Sequence, residues 1–274
     1  MLARLAAKLL PLKVSYWIAD RVADLWYAAS PGTVQNLRHN LSKVPGVPPS
    51  GVALGRLSRR IMRNFARMVT EFMYFPKFNL ENISGLVDIE SFRKLIPAVG
   101  GDSVIFITGH IGNWELGAAM ASMLGLDLHV VVYDHPDPRV ARLFRERRQG
   151  KGLKVMSVRE AARGVPKALS TSSVGIVGDR DFTGQGMQAT YFGTEVIVPG
   201  AYAGLALARK KRIVPGFCMK QADGRYKLIL QDPPSIAMEE GIRPEEIVRA
   251  CLKIFEKSVE KYPGQWYFFD RLGS

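Results

Sequence analysis

The sequence contains few of the residues that build metal centres or disulfide frameworks. Its 274 residues include only two cysteines, Cys218 and Cys251, which lie far apart and outside any CxxC pair. The four histidines also lack the spacing of metal ligands. Neither a disulfide scaffold nor a zinc site is indicated, and this cysteine usage favours a reducing compartment. We therefore predict no metal site.

Long hydrophobic runs are also missing. The two longest apolar stretches, residues 116–126 and 196–208, fall short of the ~18–20 residues that a membrane-spanning helix needs. The first 30 residues instead read as two amphipathic helices separated by Pro11. Their apolar faces carry Leu2, Leu5 and Leu9, and then Val14, Trp17, Ile18, Val22, Leu25 and Trp26. Such a basic helix is typical of a membrane interface, and packing on the core is the alternative.

Acidic residues are too few to balance the basic ones. There are 25 Asp and Glu against 38 Lys and Arg, which gives a formal net charge of +13. This excess favours a membrane surface, nucleic acid or an acidic substrate carrier as partner, with a merely solvated basic surface as the alternative. No RRM, KH, zinc-finger or helix-turn-helix signature is present, and aromatic residues do not alternate with basic ones, so we predict no nucleic-acid partner.

From about residue 86 onward, short β-type segments alternate with helical patterns. The predicted strands are SVIFIT, LDLHVVVY, LKVMS, VGIVGD, IVPGFCM and YKLILQ, the last as the return strand of a hairpin. The predicted helices are 113–124, 138–149, 159–169, 202–210 and 244–261. This alternation predicts an α/β fold with a mixed, mainly parallel sheet flanked by helices. A helical N-terminal portion precedes it, and we expect one domain over residues 1–274.

His110 lies in the segment ITGHIGNWELG, where an apolar strand gives way to a helix. Gly109 and Gly112 supply the backbone freedom of a strand-to-helix turn, and Asn113 is expected to cap the helix. With His110 on the turn and Glu115 on the first helical turn, we expect the two side chains to meet. The imidazole then suits a general base, and the carboxylate fixes its tautomer. The alternatives are a hydrogen-bonded turn histidine and a glutamate that only favours the helix dipole.

The segment GHIGNWE resembles the H-x4-[D/E] motif of glycerolipid acyltransferases, in the form found in the bacterial lipid A biosynthesis (lauroyl/myristoyl) acyltransferase family. Further segments resemble that family in the same order over roughly residues 35–271: VQNLRHNL, RNFARMVTEF, VGIVGDRDFTGQG, YFGTEVIVPGAYAGLALARKKRIVPGF and YPGQWYFFDR. The resemblance implies a glycerolipid acyltransferase-like fold, with His110 as general base and Glu115 as its partner. It implies direct transfer from an acyl carrier protein or CoA thioester as co-substrate, without a bound cofactor. The lack of a GxSxG elbow or of a cysteine near His110 agrees with transfer that forms no acyl-enzyme.

Six further residues are predicted to bind substrate: Asn113, Arg148, Arg159, Asp179, Asp181 and Gly193. Arg148 belongs to the arginine-rich segment DPRVARLFRERRQGKG, which suits phosphate groups or an acidic carrier protein unless it is only a solvated helix face. The resemblance implies that Arg159 contacts a substrate phosphate. Asp179 and Asp181 follow an apolar strand, where they either bind sugar hydroxyls, buttress Arg180 or serve as structural turn acids.

Taken with the charge and the N-terminal helices, the resemblance implies a peripheral O-acyltransferase at the cytoplasmic face of the inner membrane. Its expected partners are an acyl carrier protein or CoA thioester, a phosphorylated lipid acceptor and the membrane surface. A lipid A precursor is the leading acceptor, and another glycolipid or a lysophospholipid is the alternative. A non-catalytic, basic membrane-binding relative is the alternative from a different class of protein.

Overall fold

A helical portion precedes the sheet, as predicted. The computed structural model describes residues 7–230 and 241–273. Its first helices are α1 (Leu12–Ala29), α2 (Pro31–Leu41), α3 (Gly51–Met73), α4 (Ile89–Arg93) and α5 (Leu95–Val99). Pro11 directly precedes α1 and Pro31 opens α2, positions at which the missing proline N–H breaks no helical hydrogen bond. Leu2 and Leu5 of the predicted first amphipathic helix lie outside the described residues.

The second part of the chain forms the predicted α/β arrangement. Its main strands are β1 (Ile105–Thr108), β2 (Leu128–Val132), β3 (Lys154–Ser157), β4 (Ser173–Val177), β7 (Ile213–Lys220) and β8 (Tyr226–Leu230). The helices between and after them are α6 (Trp114–Met123), α7 (Pro138–Gln149), α8 (Val158–Ala168), α9 (Ala201–Arg209) and α10 (Pro244–Lys261). The strand order is β3-β2-β4-β1-β7-β8, with parallel pairing throughout except between β7 and β8. The mixed, mainly parallel sheet flanked by helices is thus confirmed.

A second, two-stranded antiparallel sheet was not predicted from the sequence. It consists of β5 (Met187–Tyr191) and β6 (Thr194–Val198). Phe192 and Gly193 connect the two strands, and both have positive φ, at 47° and 67°. A two-residue turn with positive φ at both positions matches the right-handed twist of the strands, and glycine adopts that conformation without strain.

The sheet is covered on both faces. Ile105 and Ile107 of β1 are fully buried on one face, in a cluster that includes side chains of α8, α9 and α10. Phe106 points to the other face because side chains alternate along a strand, and there it packs near α5 and α6. Parallel strands need such double coverage, because they lack a solvated face.

The helix α1 is fixed to α3 by ion pairs on one flank. Asp24 accepts from Arg63 and Arg59, and those hydrogen bonds hold its pKa below its usual range. One turn away, Asp20 pairs with Arg67 at 2.5 Å. These contacts hold the flank of α1 that carries Asp20 and Asp24 against α3, and a different side of α1 faces outward.

The outward side of α1 is the apolar face predicted from the sequence, with one exception. Its exposed members are Val14, Trp17, Ile18, Val22 and Leu25. Trp26 is instead half-buried, with its ring centroid 5.0 Å from that of Phe269. Within residues 7–230 and 241–273, no helix combines the length and hydrophobicity needed to cross a bilayer.

Candidate active site

The pairing of β1 with β4 brings His110 and Asp179 together. Thr108 and Val177 are register partners at the carboxyl ends of these adjacent parallel strands. His110 and Asp179 each follow two residues later, so the chain leaves both strands at the same edge of the sheet. This is the edge at which α/β proteins bind their ligands. Because His110 and Asp179 each lie two residues beyond a pair of neighbouring strand residues, their side chains lie close together.

The imidazole of His110 is held by the carboxylate of Asp179. The Nδ1 atom lies 2.7 Å from Oδ1, and the backbone N–H of His110 donates to Oδ2 at 2.7 Å. The Asp179 side chain is 0% exposed, whereas that of His110 is 21% exposed. A carboxylate accepts hydrogen bonds, so this geometry assigns the ring proton to Nδ1 and leaves Nε2 as the acceptor.

Two glycines are required in the turn that carries His110. A Cβ atom at Gly109 would lie 2.9 Å from Oδ2 of Asp179, so a side chain there would displace the carboxylate. Gly112 has a φ of +67°, and a Cβ at that position would lie 2.3 Å from the carbonyl oxygen of Cys218. The predicted need for backbone freedom is met at Gly112, while Gly109 is required by the close approach of Asp179.

The predicted contact between His110 and Glu115 is wrong. Both carboxylate oxygens of Glu115 are taken by Arg148, whose Nη2 and Nε donate to them at 2.6 and 2.9 Å. Arg148 also lies over the rings of Phe72 and Phe144. The Nδ1 atom of His110 already has its carboxylate in Asp179. Glu115 therefore joins the first turn of α6 to the last turn of α7 and forms no hydrogen bond with the imidazole.

This ion pair is buried enough to carry stability. The side chains of Arg148 and Glu115 are 12% and 13% exposed. We expect Glu115→Ala to lower the free energy of unfolding by about 3 kcal/mol, because it leaves a guanidinium group buried without its counter-charge. The double variant Glu115→Leu/Arg148→Met removes both charges, and we expect its free energy of unfolding to fall by less than that of Glu115→Ala. Urea denaturation of the purified variants measures both values.

An exposed ion pair provides the control for that measurement. The Arg139 side chain is 90% exposed and pairs with Asp137 at 2.9 Å. We expect Arg139→Ala to change the free energy of unfolding by less than about 0.5 kcal/mol. A Glu115→Ala loss no larger than the Arg139→Ala loss, or a double variant less stable than the single one, would contradict the structural role of the Glu115–Arg148 pair.

Asn113 caps α6, as predicted, and its amide is fully buried. Its side-chain oxygen accepts from the N–H of Leu116 at 2.9 Å, and Nδ2 donates to Glu71 at 2.6 Å. Because its oxygen and Nδ2 are both hydrogen-bonded and the side chain is buried, Asn113 exposes no surface to a substrate. The predicted substrate contact is therefore corrected: Asn113 holds the turn in place.

Glu71 is a buried acid that the sequence reasoning missed. Its carboxylate, fully buried on α3, accepts from the Tyr16 hydroxyl and from Asn113, each at 2.6 Å. The ammonium group of Lys220 lies 3.6 Å away. Burial and this negative charge together raise the pKa of Tyr16 far above its usual range, so the phenol remains a donor. The signal in the sequence was a single acid directly beside Phe72, on the buried side of an amphipathic helix.

The other predicted substrate residues lie on separate elements of the fold. Arg148, bound to Glu115 and largely buried, serves the packing of α6 on α7, which corrects its predicted role as an accessible phosphate ligand. Arg159 is exposed at the start of α8, after β3. Because β3 is three strands from β1, Arg159 starts roughly 14 Å across the sheet from the His110 turn. It stays a prediction.

Asp181 and Gly193 have local structural partners. Asp181 accepts from the Thr183 hydroxyl at 2.7 Å and from the N–H of Gly186 at 3.3 Å, within its own loop. Gly193 is the second residue of the β5–β6 turn, where its φ of +67° accounts for glycine. The structure brings only Asp179 of the predicted substrate set into contact with His110, and there it serves as the partner of the imidazole.

Aromatic rings surround the exposed edge of His110. Its ring centroid lies 5.1 Å from Trp114 and 6.1 Å from Phe182, and Phe182 stacks on Tyr133 at 5.1 Å. The guanidinium of Arg180 lies 4.3 Å from the Phe182 ring centre. Both Phe182 and Tyr133 are exposed. An acyl-transfer reaction can use all three features: the imidazole as a base, the aromatic surface beside it, and the cation of Arg180 next to that surface.

The part of the chain that the structure describes contains no group of three or more His, Cys, Asp or Glu side chains able to hold a metal ion. The two cysteines are free and buried, and burial raises the pKa of each thiol. Neither is a ready nucleophile, because the attacking species is the thiolate. Chemistry at this edge of the sheet therefore centres on the imidazole of His110 and the carboxylate of Asp179.

Comparison with known proteins gives a family match over nearly the whole chain. The sequence profile of the bacterial lipid A biosynthesis acyltransferase family matches residues 2–272. Among similar proteins is the phosphatidylinositol mannoside acyltransferase of Mycolicibacterium smegmatis, 25% identical over 248 residues, which cover 88% of this chain and 80% of that one. The protein of the same name from Mycobacterium tuberculosis is 24% identical over 250 residues, which cover 88% of this chain and 77% of the relative.

Proposed function

The chain belongs to the bacterial lipid A biosynthesis acyltransferase family and is an acyltransferase, and on that premise we propose that it moves a fatty acyl group from a thioester to a hydroxyl of a phosphorylated glycolipid. The observation that carries this proposal is the His110–Asp179 pair. An aligned carboxylate keeps Nε2 of a partly exposed imidazole free to accept a proton. A free hydroxyl needs such a base, because it is almost unionised at neutral pH.

The reaction starts when Nε2 takes the hydroxyl proton as the acceptor oxygen attacks the thioester carbonyl carbon. The imidazolium that forms is stabilised by the negative charge of Asp179. The C–O bond forms and the carbonyl oxygen becomes an oxyanion. When the oxyanion reforms the carbonyl, the C–S bond breaks and the thiolate takes the proton from the imidazolium. No acyl-enzyme forms, and every proton returns to where it began on the protein.

The oxyanion needs a positive partner, and Arg180 is the residue to which we assign this role. The backbone N–H groups of Gly112 and Asn113 are already bonded to the carbonyls of Gln265 and Cys218. Arg180 stacks on Phe182, which contacts the His110 ring, and is paired with Asp270. A guanidinium placed near the developing charge lowers the barrier, because it needs little rearrangement during the reaction.

The donor and acceptor are proposed from chemistry and from the relatives. The donor is an acyl carrier protein or CoA thioester, and the acceptor is a lipid A precursor or another phosphorylated glycolipid. The relatives are named for acyl transfer to a phosphatidylinositol mannoside, which is also a phosphate-bearing lipid with sugar hydroxyls. Both acceptors present a sugar hydroxyl to the base and a phosphate to basic residues, in keeping with the net charge of +13.

A peripheral position on the cytoplasmic face of the inner membrane completes the proposal. The exposed side chains of Trp17, Val22 and Leu25 form one apolar stripe on α1, whose charged residues are Lys13, Asp20, Arg21 and Asp24. A helix of this type lies in the membrane interface with its apolar face among the acyl chains. A water-insoluble acceptor then reaches the enzyme without leaving the bilayer.

The experiment that tests this function measures acyl transfer directly. The purified protein is given acyl carrier protein and CoA thioesters of several chain lengths with three acceptors: a lipid A precursor, a phosphatidylinositol mannoside and a lysophospholipid. We expect mass spectrometry to show one added acyl chain on a phosphorylated glycolipid. Lipids extracted from a deletion strain should lack one acyl chain of the same acceptor class. No transfer to any acceptor, together with an unchanged lipid profile, would favour the non-catalytic relative.

A further inference from the structure

A cavity with a cationic lining lies beside the active-site turn. Its volume is about 470 Å³, and its basic members are Arg60, Arg67, Lys220 and Lys261. None of the described residues that line it is acidic. The cavity forms between α3, the end of β7, the last turn of α10 and residues 263–267. We call it the cationic pocket.

Hydrogen bonds to the backbone fix the walls of the cationic pocket. Asn64 donates to the carbonyl of Gly264 at 2.8 Å. Gln265 bonds to both backbone groups of Lys220, at 2.9 and 2.8 Å. The guanidinium of Arg60 lies against Gly264, where an added Cβ would be 3.1 Å from Nε. A pocket with such fixed walls is formed before any ligand arrives, so binding there requires little reordering.

Two of the four cations have a carboxylate partner and two do not. Arg67 pairs with Asp20 at 2.5 Å, and Lys220 lies 3.6 Å from Glu71. Across the described part of the chain, no carboxylate comes within 4.0 Å of the charged nitrogens of Arg60 or Lys261. The pocket therefore carries uncompensated positive charge, which suits an anion with several acceptor oxygens, and phosphate above all.

The pocket adjoins the exposed face of α1. The cations of Arg67 and Lys220 lie 5.7 and 5.3 Å from the ring centre of Tyr16. Tyr16 and Asp20 share one flank of α1, next to the apolar stripe that contains Trp17. A helix that inserts this stripe at a bilayer surface brings the neighbouring pocket to the depth of the headgroups.

We propose that the cationic pocket binds the phosphate of an anionic phospholipid headgroup at the membrane surface. The ligand is chemically a phosphodiester or phosphomonoester, and its bilayer source follows from the position of the pocket beside the α1 stripe. This site is separate from Arg148 and Arg159, the arginines expected from the sequence to contact a substrate phosphate. The inference rests on the proposed membrane location of α1 but not on the transfer chemistry.

Vesicle binding tests the proposal with a matched pair of variants. Arg60→Gln/Lys261→Gln removes the two unpaired cations of the pocket. Arg56→Gln/Lys257→Gln removes two exposed cations one helical turn earlier on the same helices, α3 and α10, and so changes the net charge equally. Binding is measured to phosphatidylcholine vesicles and to the same vesicles containing phosphatidylglycerol, after circular dichroism has shown that all chains are folded.

We expect the pocket variant to bind the anionic vesicles roughly 10- to 30-fold more weakly than wild type, because each cation near an anionic surface contributes about fivefold to affinity. The affinity of the control variant for anionic vesicles should fall by less than about threefold. The binding of both variants to neutral vesicles should equal that of wild type. Equal losses in the two variants would overturn the proposal. The proposal would also be overturned if the pocket variant lost affinity for CoA but kept its affinity for anionic vesicles, because the pocket would then bind the acyl donor. If wild type binds both vesicle types equally, the membrane location stands and the pocket proposal fails.

Discussion

His110→Ala is expected to lower the rate of acyl transfer by about 10²- to 10⁴-fold, the usual contribution of a positioned general base. The acceptor hydroxyl would then lose its proton only to water. Association of the variant with vesicles should equal that of wild type, because the α1 stripe and the cationic pocket are unchanged. The rate is measured with the thioester and glycolipid that give the best wild-type turnover.

A second variant separates lost chemistry from lost structure. His110→Ala removes the side-chain partner of a carboxylate that is fully buried, and among the described residues only the backbone N–H at position 110 then remains hydrogen-bonded to it. His110→Asn keeps a side-chain donor close to Asp179 but has no group that accepts a proton at neutral pH. We expect both variants to be equally slow even though their thermal stabilities differ. Transfer at near wild-type rate by either folded variant would remove His110 from the mechanism.

The turn that carries His110 was predictable from the sequence because its signals are local. A run of apolar residues, a glycine pair and an N-capping asparagine lie within a few positions of one another, and each limits the backbone independently. The same holds for α7 and α10, where a proline at the first turn and a long amphipathic pattern set the predicted bounds.

The partner of His110 was not predictable in the same way because it depends on strand order. Asp179 is 69 residues away from His110 and was recognised only as an acid at a strand end. It reaches the imidazole because β4 is inserted between β1 and β2, an arrangement that no local pattern specifies. Glu115, by contrast, is near in sequence, and sequence proximity favoured a contact that the pairing with Arg148 prevents.

The β5–β6 hairpin was not predicted, although its signal is local. Its strands alternate partly buried with exposed positions, which is typical of strands, but only a substrate contact at Gly193 was predicted there. The buried Glu71 was missed because its partners, Tyr16 and Asn113, come from segments far away in the sequence. Contacts of this kind between distant segments are set by tertiary packing.

Asp179→Asn is expected to reduce acyl transfer by about 10²- to 10⁴-fold with little change in size or shape. An amide oriented to accept from the His110 backbone N–H presents its NH₂ group to Nδ1. The imidazole then accepts at Nδ1 and carries its proton on Nε2, which is the wrong tautomer for a base. The loss should appear in kcat more than in KM, because the substituted atoms do not touch the acceptor.

Two matched variants make the Asp179 prediction decisive. Asp223→Asn makes the same chemical change on an exposed residue of the β7–β8 turn, where Asp223 pairs with Arg225, and should alter transfer less than about twofold. Glu115→Leu/Arg148→Met keeps Asp179 in place, so any loss of transfer in it should follow its loss of stability and diminish at lower temperature. The loss in Asp179→Asn should persist at every temperature at which the protein is folded. If Asp179→Asn were as active as Asp223→Asn, the carboxylate would have no part in setting the tautomer of His110, and the proposed proton transfer would lose its basis.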